Sequence, residues 1–260
     1  MDQPISVEID LKSPLAPKAQ YRIRPHVFVC GRDDCVVLMD LKRLKYFAVD
    51  WRRSEALMEL VDGWPTPNLN VLRLHERASP HRALTSTDSF IEFLAQQGWI
   101  TDELHNGKSA VPVVPKIPVE TFPIFSLERA TRSYVRYLPQ FLLAHRRATW
   151  LRKHWGISKI IERIQLRKHT TRVGEVPVDE LKLLVKAHHH LRPLLYSSLD
   201  ACLDDSLVLL EFLASNKIYA DWVFGIRTRP WVPHCWVQAG TTLCNDSVAN
   251  VRRFSVLAVF

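Results

Sequence analysis

The 260-residue sequence has few cysteines and no long apolar run. Its five cysteines are a low and odd number, which argues against a disulfide framework and leaves reduced thiols, metal ligands or a nucleophile. No stretch approaches the roughly 20 consecutive apolar residues of a membrane-spanning helix. The first residues, MDQPISVEIDLKSP, lack the basic start and apolar run of a secretory signal. Internal repeats and low-complexity segments are also missing, so we expect a globular cytoplasmic protein without a membrane span.

Charge is unevenly distributed along the chain. Residues 1–110 carry 14 Lys+Arg against 15 Asp+Glu, a net charge of −1, whereas the remaining 150 residues carry 21 against 12, a net charge of +9. The excess peaks between Arg129 and Lys168, where eleven cations accompany the single anion Glu162. Such a run is typical of solvated helix faces, but it also suits a docking surface for an acidic partner, a nucleotide or a nucleic acid.

A proline-rich stretch divides the chain. Residues 109–123 contain four prolines in fifteen positions and show neither helical nor strand periodicity, so they are predicted to be a linker. The hydrophobic content of 47% is sufficient for a sizeable core. We therefore predict two domains, residues 1–108 and residues 124–260.

The sequence of the first domain predicts strands followed by helices. Three β-rich runs around the polar loop GRDD predict a small antiparallel sheet, and they cover residues 26–30, 35–41 and 42–50. Ser54 is predicted to cap a first helix. Thr87 or Asp88 opens a second helix, which Gly98 is placed to end. This order predicts a winged-helix-like domain.

The sequence of the second domain predicts helices followed by strands. Helical patterns cover residues 127–154 with an interruption at Pro139, residues 157–168 and residues 177–191. Residues 198–217 have leucines at helical spacing, which predicts a buried amphipathic helix. Strand-like runs follow, and they cover residues 219–228, 233–239 and 252–260. The whole chain is therefore predicted to be α+β, with an antiparallel sheet at its end.

Three residues of the second domain form a candidate catalytic triad. Cys202 comes at the start of the leucine-rich helix, where free backbone amides and the helix dipole favour a thiolate. His234 begins a strand and Asp246 follows the turn at Gly240, so a base and an acceptor that orients it can lie side by side. Asn245 is an alternative orienting group. The pattern predicts a cysteine nucleophile with His234 as its base.

These residues carry a resemblance to a known family. The run C-L-x-x-S-L-x-L-L over residues 202–210 and the segment GIRTRPWVPHCWVQ over residues 225–238 resemble the lasso peptide biosynthesis B proteins, which are transglutaminase-like leader peptidases. The chain departs from that family at Cys235, where alanine is usual, at Gln238, where glutamate is common, and at Asp205, where an arginine is frequent. The resemblance implies a transglutaminase-like, papain-like cysteine peptidase domain.

The first domain resembles the PqqD-like precursor recognition element that members of this family carry. The resemblance implies that a leader peptide adds a strand to the sheet edge at residues 45–50 and packs its side chains against the second helix, an instance of β-augmentation. The leader-binding residues that it implies are Tyr46, Phe47, Val49, Phe90, Phe93 and Leu94.

The same resemblance implies an activity and partners. The protein is expected to bind the leader of a ribosomally made lasso precursor peptide, to cleave it at the leader–core junction without a cofactor, and to work beside an asparagine-synthetase-like macrolactam synthetase. Acyl transfer to an amine would use the same triad. DNA binding through the winged-helix-like domain is the rival from another class, although the second helix carries Asp88 and Glu92 and no cation.

A zinc site is a further alternative. Cys202, His234, Cys235 and Cys244 offer four ligands, but their spacing lacks the short paired knuckles of structural zinc sites. Residues 234 and 235 are also expected to point to opposite faces of a strand. The histidines at 188–190 are interpreted as a polar helix end. We therefore predict no metal.

Overall fold

The structure is a computed structural model that describes residues 19–32, 35–66, 87–122, 134–170, 178–196 and 201–260. The predicted elements that fall in the gaps, including the helix start at 127–133 and the segment 197–200, lie outside the described residues. Within the described ranges, no helix is long and apolar enough to cross a bilayer. The described elements alternate between helices and mainly antiparallel strands, which confirms the predicted α+β class.

The N-terminal unit is built on a three-stranded antiparallel sheet in the order β2-β3-β4, as predicted. Its elements are β1 (Arg22–Ile23), β2 (Val27–Gly31), β3 (Cys35–Asp40), β4 (Lys45–Asp50), α1 (Trp51–Leu60), α2 (Thr87–Gln96) and β5 (Ile100–Thr101). Strands β1 and β5 form a separate two-stranded pair. Gly98, at φ +75°, ends the turn after α2, a conformation that glycine adopts without strain.

The first helix begins earlier than predicted. Asp50, the last residue of β4, is its N-cap, and the Asp50 carboxylate accepts a hydrogen bond from the backbone N–H of Arg53 at 3.1 Å. Ser54, the predicted cap, is instead buried inside α1, where its hydroxyl accepts a hydrogen bond from the Trp64 indole at 2.6 Å. The chain therefore passes from strand to helix without a loop.

The N-terminal sheet is buried on both faces. Residues that alternate along its strands pack into the core of the N-terminal unit, and these are Val27, Val29, Val36, Leu38 and Val49. The intervening residues pack against the helices and sheet of the C-terminal unit, and these include Cys30, Val37 and Met39. The contact is extended by the Phe28 and Phe260 rings, 5.3 Å apart, and by a 2.8 Å hydrogen bond from Arg32 to Ser255. The two units share one continuous apolar contact.

The C-terminal unit contains four long helices and a five-stranded sheet. Its elements are β6 (Glu120–Thr121), α3 (Leu138–His154), α4 (Ile157–Thr170), α5 (Val178–Leu191), α6 (Cys202–Ser215), β7 (Asp221–Thr228), β8 (Trp231–Ala239), β9 (Thr242–Leu243), α7 (Val248–Val251) and β10 (Ser255–Val259). The sheet order is β10-β7-β8-β9-β6. Pro139 lies in the first turn of α3, so the helix starts there, at a position that proline tolerates.

Helix α6 lies at the centre of this unit. Residues 205–213 are all buried, so the helix is enclosed on every side and does not present the polar face expected of an amphipathic helix. It packs against α3, α5 and β8. Burial on all sides fixes the position of its first residue, Cys202.

The proline-rich stretch is tied to the C-terminal sheet. Glu120 and Thr121 form β6 and pair in parallel with Thr242 and Leu243 of β9. The Lys116 carbonyl also accepts a hydrogen bond from the Gln238 side chain at 2.8 Å. This strand was not predicted, because a two-residue edge strand is too short to show periodicity.

Part of the basic run is neutralised by distant acids. Arg167 forms an ion pair with the fully buried Glu211 of α6, and Lys168 lies 2.6 Å from Asp221 of β7. Arg152 lies 2.9 Å from Asp204. These anions lie outside the run, so its local charge count overstates the free positive charge of α3 and α4.

Candidate active site

The nucleophile candidate opens the central helix. Cys202 is the first residue of α6. The first backbone amides of any helix lack intrahelical partners, and here the N-cap residue Ala201 has no side chain that could accept hydrogen bonds from them. Cys202 is half-buried, whereas Cys30, Cys35, Cys235 and Cys244 are buried. Cys202 is thus the most accessible of the five thiols.

His234 and Asp246 are brought together as predicted. His234 Nε2 lies 2.5 Å from Asp246 Oδ2, so Nδ1 remains for Cys202. Asp246 is itself held by the Ser247 backbone N–H at 2.6 Å and by the Asn250 amide at 3.1 Å. His234 Nε2 must carry a proton to bond the carboxylate, which fixes the tautomer of the neutral ring.

The electrostatics of Cys202 and His234 favour an ion pair. The pKa of Cys202 is lowered to about 4, first by hydrogen bonding from the Cys235 thiol and then by His234, against the opposing effect of burial. Burial lowers the pKa of His234, but hydrogen bonds with Asp246 and Cys202 outweigh it and raise that pKa to about 9. Between these values the pair is a thiolate and an imidazolium, the state of an activated cysteine nucleophile.

Asn245, the alternative orienting group, has a different set of partners. Its side-chain oxygen accepts a hydrogen bond from the Val237 backbone N–H at 2.8 Å. Its amide nitrogen donates to Asp205 at 3.0 Å and to Ser206 at 3.1 Å. The carboxylate of Asp246, rather than this amide, therefore contacts His234.

Cys235 contributes to the site although it follows His234 directly on β8. Its thiol interacts with the Cys202 sulfur, and burial keeps the pKa of Cys235 well above its ordinary value, so it remains a protonated donor. His234 packs against Phe254 and Cys235 lies in the core beside α6, as expected for neighbours that point to opposite faces of a strand, yet both interact with Cys202. In the described ranges, no group of three or more His, Cys, Asp or Glu side chains is arranged to hold a metal.

We expect the substitution Cys235→Ala to raise the pKa of Cys202. It removes the largest influence that lowers this pKa, and a hydrogen bond to a charged group contributes about 1.5–3 kcal/mol, or roughly one to two pKa units. The measurement is the rate of Cys202 alkylation by iodoacetamide between pH 3 and pH 10, followed by mass spectrometry. Cys244→Ala is the matched control, and equal midpoints in the two variants would contradict the prediction.

The implied leader-binding residues lie on an edge strand and on the helix that packs against it. Strand β4 is at the edge of its sheet, and the Phe47 ring lies 5.7 Å from Phe93 and 6.4 Å from Phe90 of α2. Phe93 is 40% exposed, but Val49 and Leu94 are buried. Phe47 and Phe93 thus form a partly exposed apolar surface where β4 meets α2, with buried residues beneath it, and we term this surface the groove.

Tyr46 lies on the opposite side of β4 from this groove. It pairs with Met39 and packs against the C-terminal core, near Cys202 and Cys235, and burial followed by these two thiols raises its pKa. The groove residues and Tyr46 therefore alternate along one strand. The edge strand of the N-terminal unit therefore also lies beside the candidate active site.

A cleft of about 430 Å³ opens beside the first turn of α6. None of the three triad side chains lines it, although Ala201 and Asp204 flank Cys202 in sequence. Its walls carry basic, small, aromatic and acidic side chains, which are those of His145, Ala148, Thr149, Arg152, Lys153, Tyr196, Ala201, Asp204 and Val208. The cleft offers room for a peptide segment next to the nucleophile.

Sequence reasoning missed several residues around the site. His188 was interpreted as part of a polar helix end, but it is fully buried, and burial lowers its pKa to about 3. It lies 3.7 Å from Asp205, which also accepts a hydrogen bond from Tyr196 at 3.1 Å. The one available signal was the apolar spacing of α5, which places residue 188 on the same face as Leu181, Leu184 and Leu191.

Comparisons with known proteins agree with this architecture. Residues 144–259 match the family model of the transglutaminase-like superfamily. Over 57 residues, the chain is 39% identical to the Microcin J25-processing protein McjB of Escherichia coli, a match that covers 22% of this chain and 27% of that protein. The matched segment thus spans about a quarter of this curated relative, and no solved structure matches the chain. Residues 144–259 therefore form a transglutaminase-like domain, and a 57-residue segment of the chain is similar to a Microcin J25-processing protein.

Proposed function

We propose that this protein is a cysteine peptidase of lasso peptide maturation, which binds the leader of a precursor peptide and cleaves it at the leader–core junction. The observation that carries the proposal is the meeting of a helix-start thiol with a histidine and an aspartate 2.5 Å apart. The relative that shares 39% identity over 57 residues is named for processing Microcin J25. Peptide processing is thus supported from the site and from a relative.

The mechanism follows from the protonation states. The Cys202 thiolate attacks the scissile carbonyl carbon, and the amides of the first turn of α6 are candidates to stabilise the resulting oxyanion. The C–N bond then breaks as the His234 imidazolium gives its proton to the departing core amine. His234, now neutral, takes a proton from water, which attacks the thioester and releases the leader with a new carboxylate. Asp246 keeps the ring oriented throughout.

Leader capture is proposed at the edge of β4. An extended peptide pairing with this strand gains backbone hydrogen bonds, and alternate side chains enter the groove lined by Phe47 and Phe93. Because the other face of β4 carries Tyr46 to the site, the bound leader lies in the same sheet that lines the catalytic centre. Capture therefore places the junction within reach of Cys202.

The products distinguish peptidase from acyltransferase. A synthetic precursor is incubated with the protein in water enriched in ¹⁸O, with and without an added primary amine. We expect free core peptide and leader whose terminal carboxylate has incorporated ¹⁸O. Leader that carries the added amine in place of a carboxylate would favour acyl transfer, and intact precursor under both conditions would contradict both activities.

We expect the substitution Phe93→Glu to weaken leader binding. The substitution places a charge in the apolar groove. Because Phe93 is exposed, folding is preserved. The lost apolar contact with the leader corresponds to a dissociation constant of the leader that is roughly 10- to 100-fold higher. Fluorescence anisotropy of a labelled leader measures it, and kcat at saturating precursor is expected to stay unchanged. Gln96→Glu, which adds the same charge to the exposed face of α2 without removing an aromatic ring, is the matched control. A fall in kcat with unchanged leader affinity would remove the capture role from this groove.

An asparagine-synthetase-like macrolactam synthetase is the proposed downstream partner, since cleavage supplies the free core amine that such an enzyme would join to an acidic side chain. The proposed docking surface lies on α3 and α4, around cations such as Arg146 and Arg147 that form no ion pair with another of the described residues. These two line an exposed surface groove together with Leu143, Trp150 and Arg163.

A further inference from the structure

We propose that Asp205 and Asn245 form a positioning pair that holds the loop carrying Asp246 against the helix carrying Cys202. The proposal rests on the triad chemistry proposed above. Asp205 lies one turn after Cys202 on α6, and Asn245 directly precedes Asp246. Their side chains are joined by a 3.0 Å hydrogen bond from Asn245 Nδ2 to Asp205 Oδ2. This contact links the nucleophile's helix to the loop of the orienting acid.

Asp205 is fixed independently of the loop. The residue is 3% exposed, and its Oδ1 accepts hydrogen bonds from Tyr196 at 3.1 Å and from Arg192 at 3.4 Å. Arg192 offsets the buried charge, so the carboxylate remains an acceptor. The chain thus uses an acid, where the resembling family often has arginine, to organise a buried network.

Asn245 is equally constrained. Its Oδ1 accepts from the Val237 backbone N–H at 2.8 Å, and its Nδ2 also donates to Ser206 at 3.1 Å. A rotation that exchanges Oδ1 and Nδ2 would place a donor against the Val237 N–H, so the amide has one orientation. The loop is also held at Cys244, whose carbonyl lies 3.0 Å from His189 Nε2.

The donors and acceptors at positions 205 and 245 predict which substitutions break the hydrogen bond between them and which pair of substitutions restores it. In Asp205→Asn, the new amide nitrogen faces a donor in either orientation. In one orientation it faces the Asn245 amide, and in the other it faces Tyr196 and Arg192. Asn245→Asp sets two carboxylates against each other. In the double variant Asp205→Asn/Asn245→Asp, the contact between positions 205 and 245 has a donor and an acceptor again, because the amide now donates from 205 and the carboxylate accepts at 245. The Ser206 hydroxyl turns to donate to the new carboxylate, in place of its weak 3.5 Å bond to the Cys235 carbonyl.

The test compares the wild type, the two single variants and the double variant. For each, kcat and KM are measured on the synthetic precursor, and melting temperature checks folding. We expect each single variant to lower kcat roughly 10- to 100-fold with KM unchanged, since a small misplacement of a catalytic group has this cost. The double variant is expected to recover most of the lost kcat. Recovery that depends on the matched pair separates positioning from a general loss of structure.

A second readout needs no peptide and so keeps this proposal separable from the proposed function. Iodoacetamide alkylation of Cys202 is followed against pH in the same four proteins, and its midpoint is expected to rise in the single variants and to return in the double variant. Single variants with wild-type kcat and midpoint would overturn the proposal. A double variant that is no better than the single ones, or that does not fold, would also overturn it.

Discussion

The substitution Cys202→Ala is expected to abolish release of the leader from a precursor peptide. The alanine side chain cannot form a thioester, and removal of a covalent nucleophile typically costs at least about a thousandfold in rate. Single-turnover reactions with enzyme in excess, followed by mass spectrometry, measure the loss even when it is large. Binding of a labelled leader should be unchanged, because Phe47 and Phe93 lie on the side of β4 that faces away from Cys202.

Cys244→Ala is the control for loss of a cysteine, since Cys244 is buried and burial raises its pKa to about 12. It should retain the wild-type rate if the protein folds, as judged by melting temperature. Cleavage by Cys202→Ala at the rate of this control would end the triad assignment.

The substitution Asp246→Asn is expected to lower kcat by about 10²–10⁴-fold, because it stabilises the wrong histidine tautomer. The Ser247 N–H and the Asn250 amide both donate to Asp246, so an asparagine there keeps its oxygen toward them and turns its amide toward His234 Nε2. That nitrogen must then accept, which moves the proton to Nδ1, the atom facing Cys202. Neutral His234 then cannot take a proton at Nδ1.

The pH dependence of kcat/KM provides a second readout for this variant. In the wild type, activity is expected to rise as pH passes the Cys202 pKa of about 4 and to fall as pH passes the His234 pKa of about 9. Loss of the Asp246 hydrogen bond lowers the His234 pKa, so the basic limb should move to lower pH. Cys244→Ala, which leaves both the Asp246 carboxylate and Asn245 in place, is the comparison variant. An unshifted basic limb would contradict the orienting role of Asp246.

The placement of the three proposed catalytic residues was predictable because its signals are local. A cysteine at a helix start needs only the helical pattern of the following leucines, and His234 and Asp246 flank a turn marked by Gly240, whose φ is +62°. Two strands joined by a short turn lie side by side. The contact between His234 and Asp246 could therefore be predicted from their short separation in sequence, on either side of this turn. The predicted N-terminal strands are also local hairpins, and the structure confirms them.

The contacts between distant segments could not be predicted in the same way. Strand β3 is buried at all six positions, and this pattern shows only that both faces are covered, not that the second cover is the C-terminal unit. The partner of Arg167 is Glu211, 44 residues away, and that of Asp205 is Asn245, 40 residues away. Neither separation carries a periodic signal. The dual use of β4, with Phe47 and Tyr46 on opposite sides, depends on the same long-range packing.

The most direct test of the account is an affinity label that uses the leader itself. A leader peptide that ends in a vinyl sulfone at the cleavage position is incubated with the protein, and the attachment site is found by tryptic mass spectrometry. The account predicts a single adduct on Cys202 that forms faster than with a vinyl sulfone lacking the leader. An adduct on Cys235 or elsewhere, with Cys202 unmodified, would contradict it.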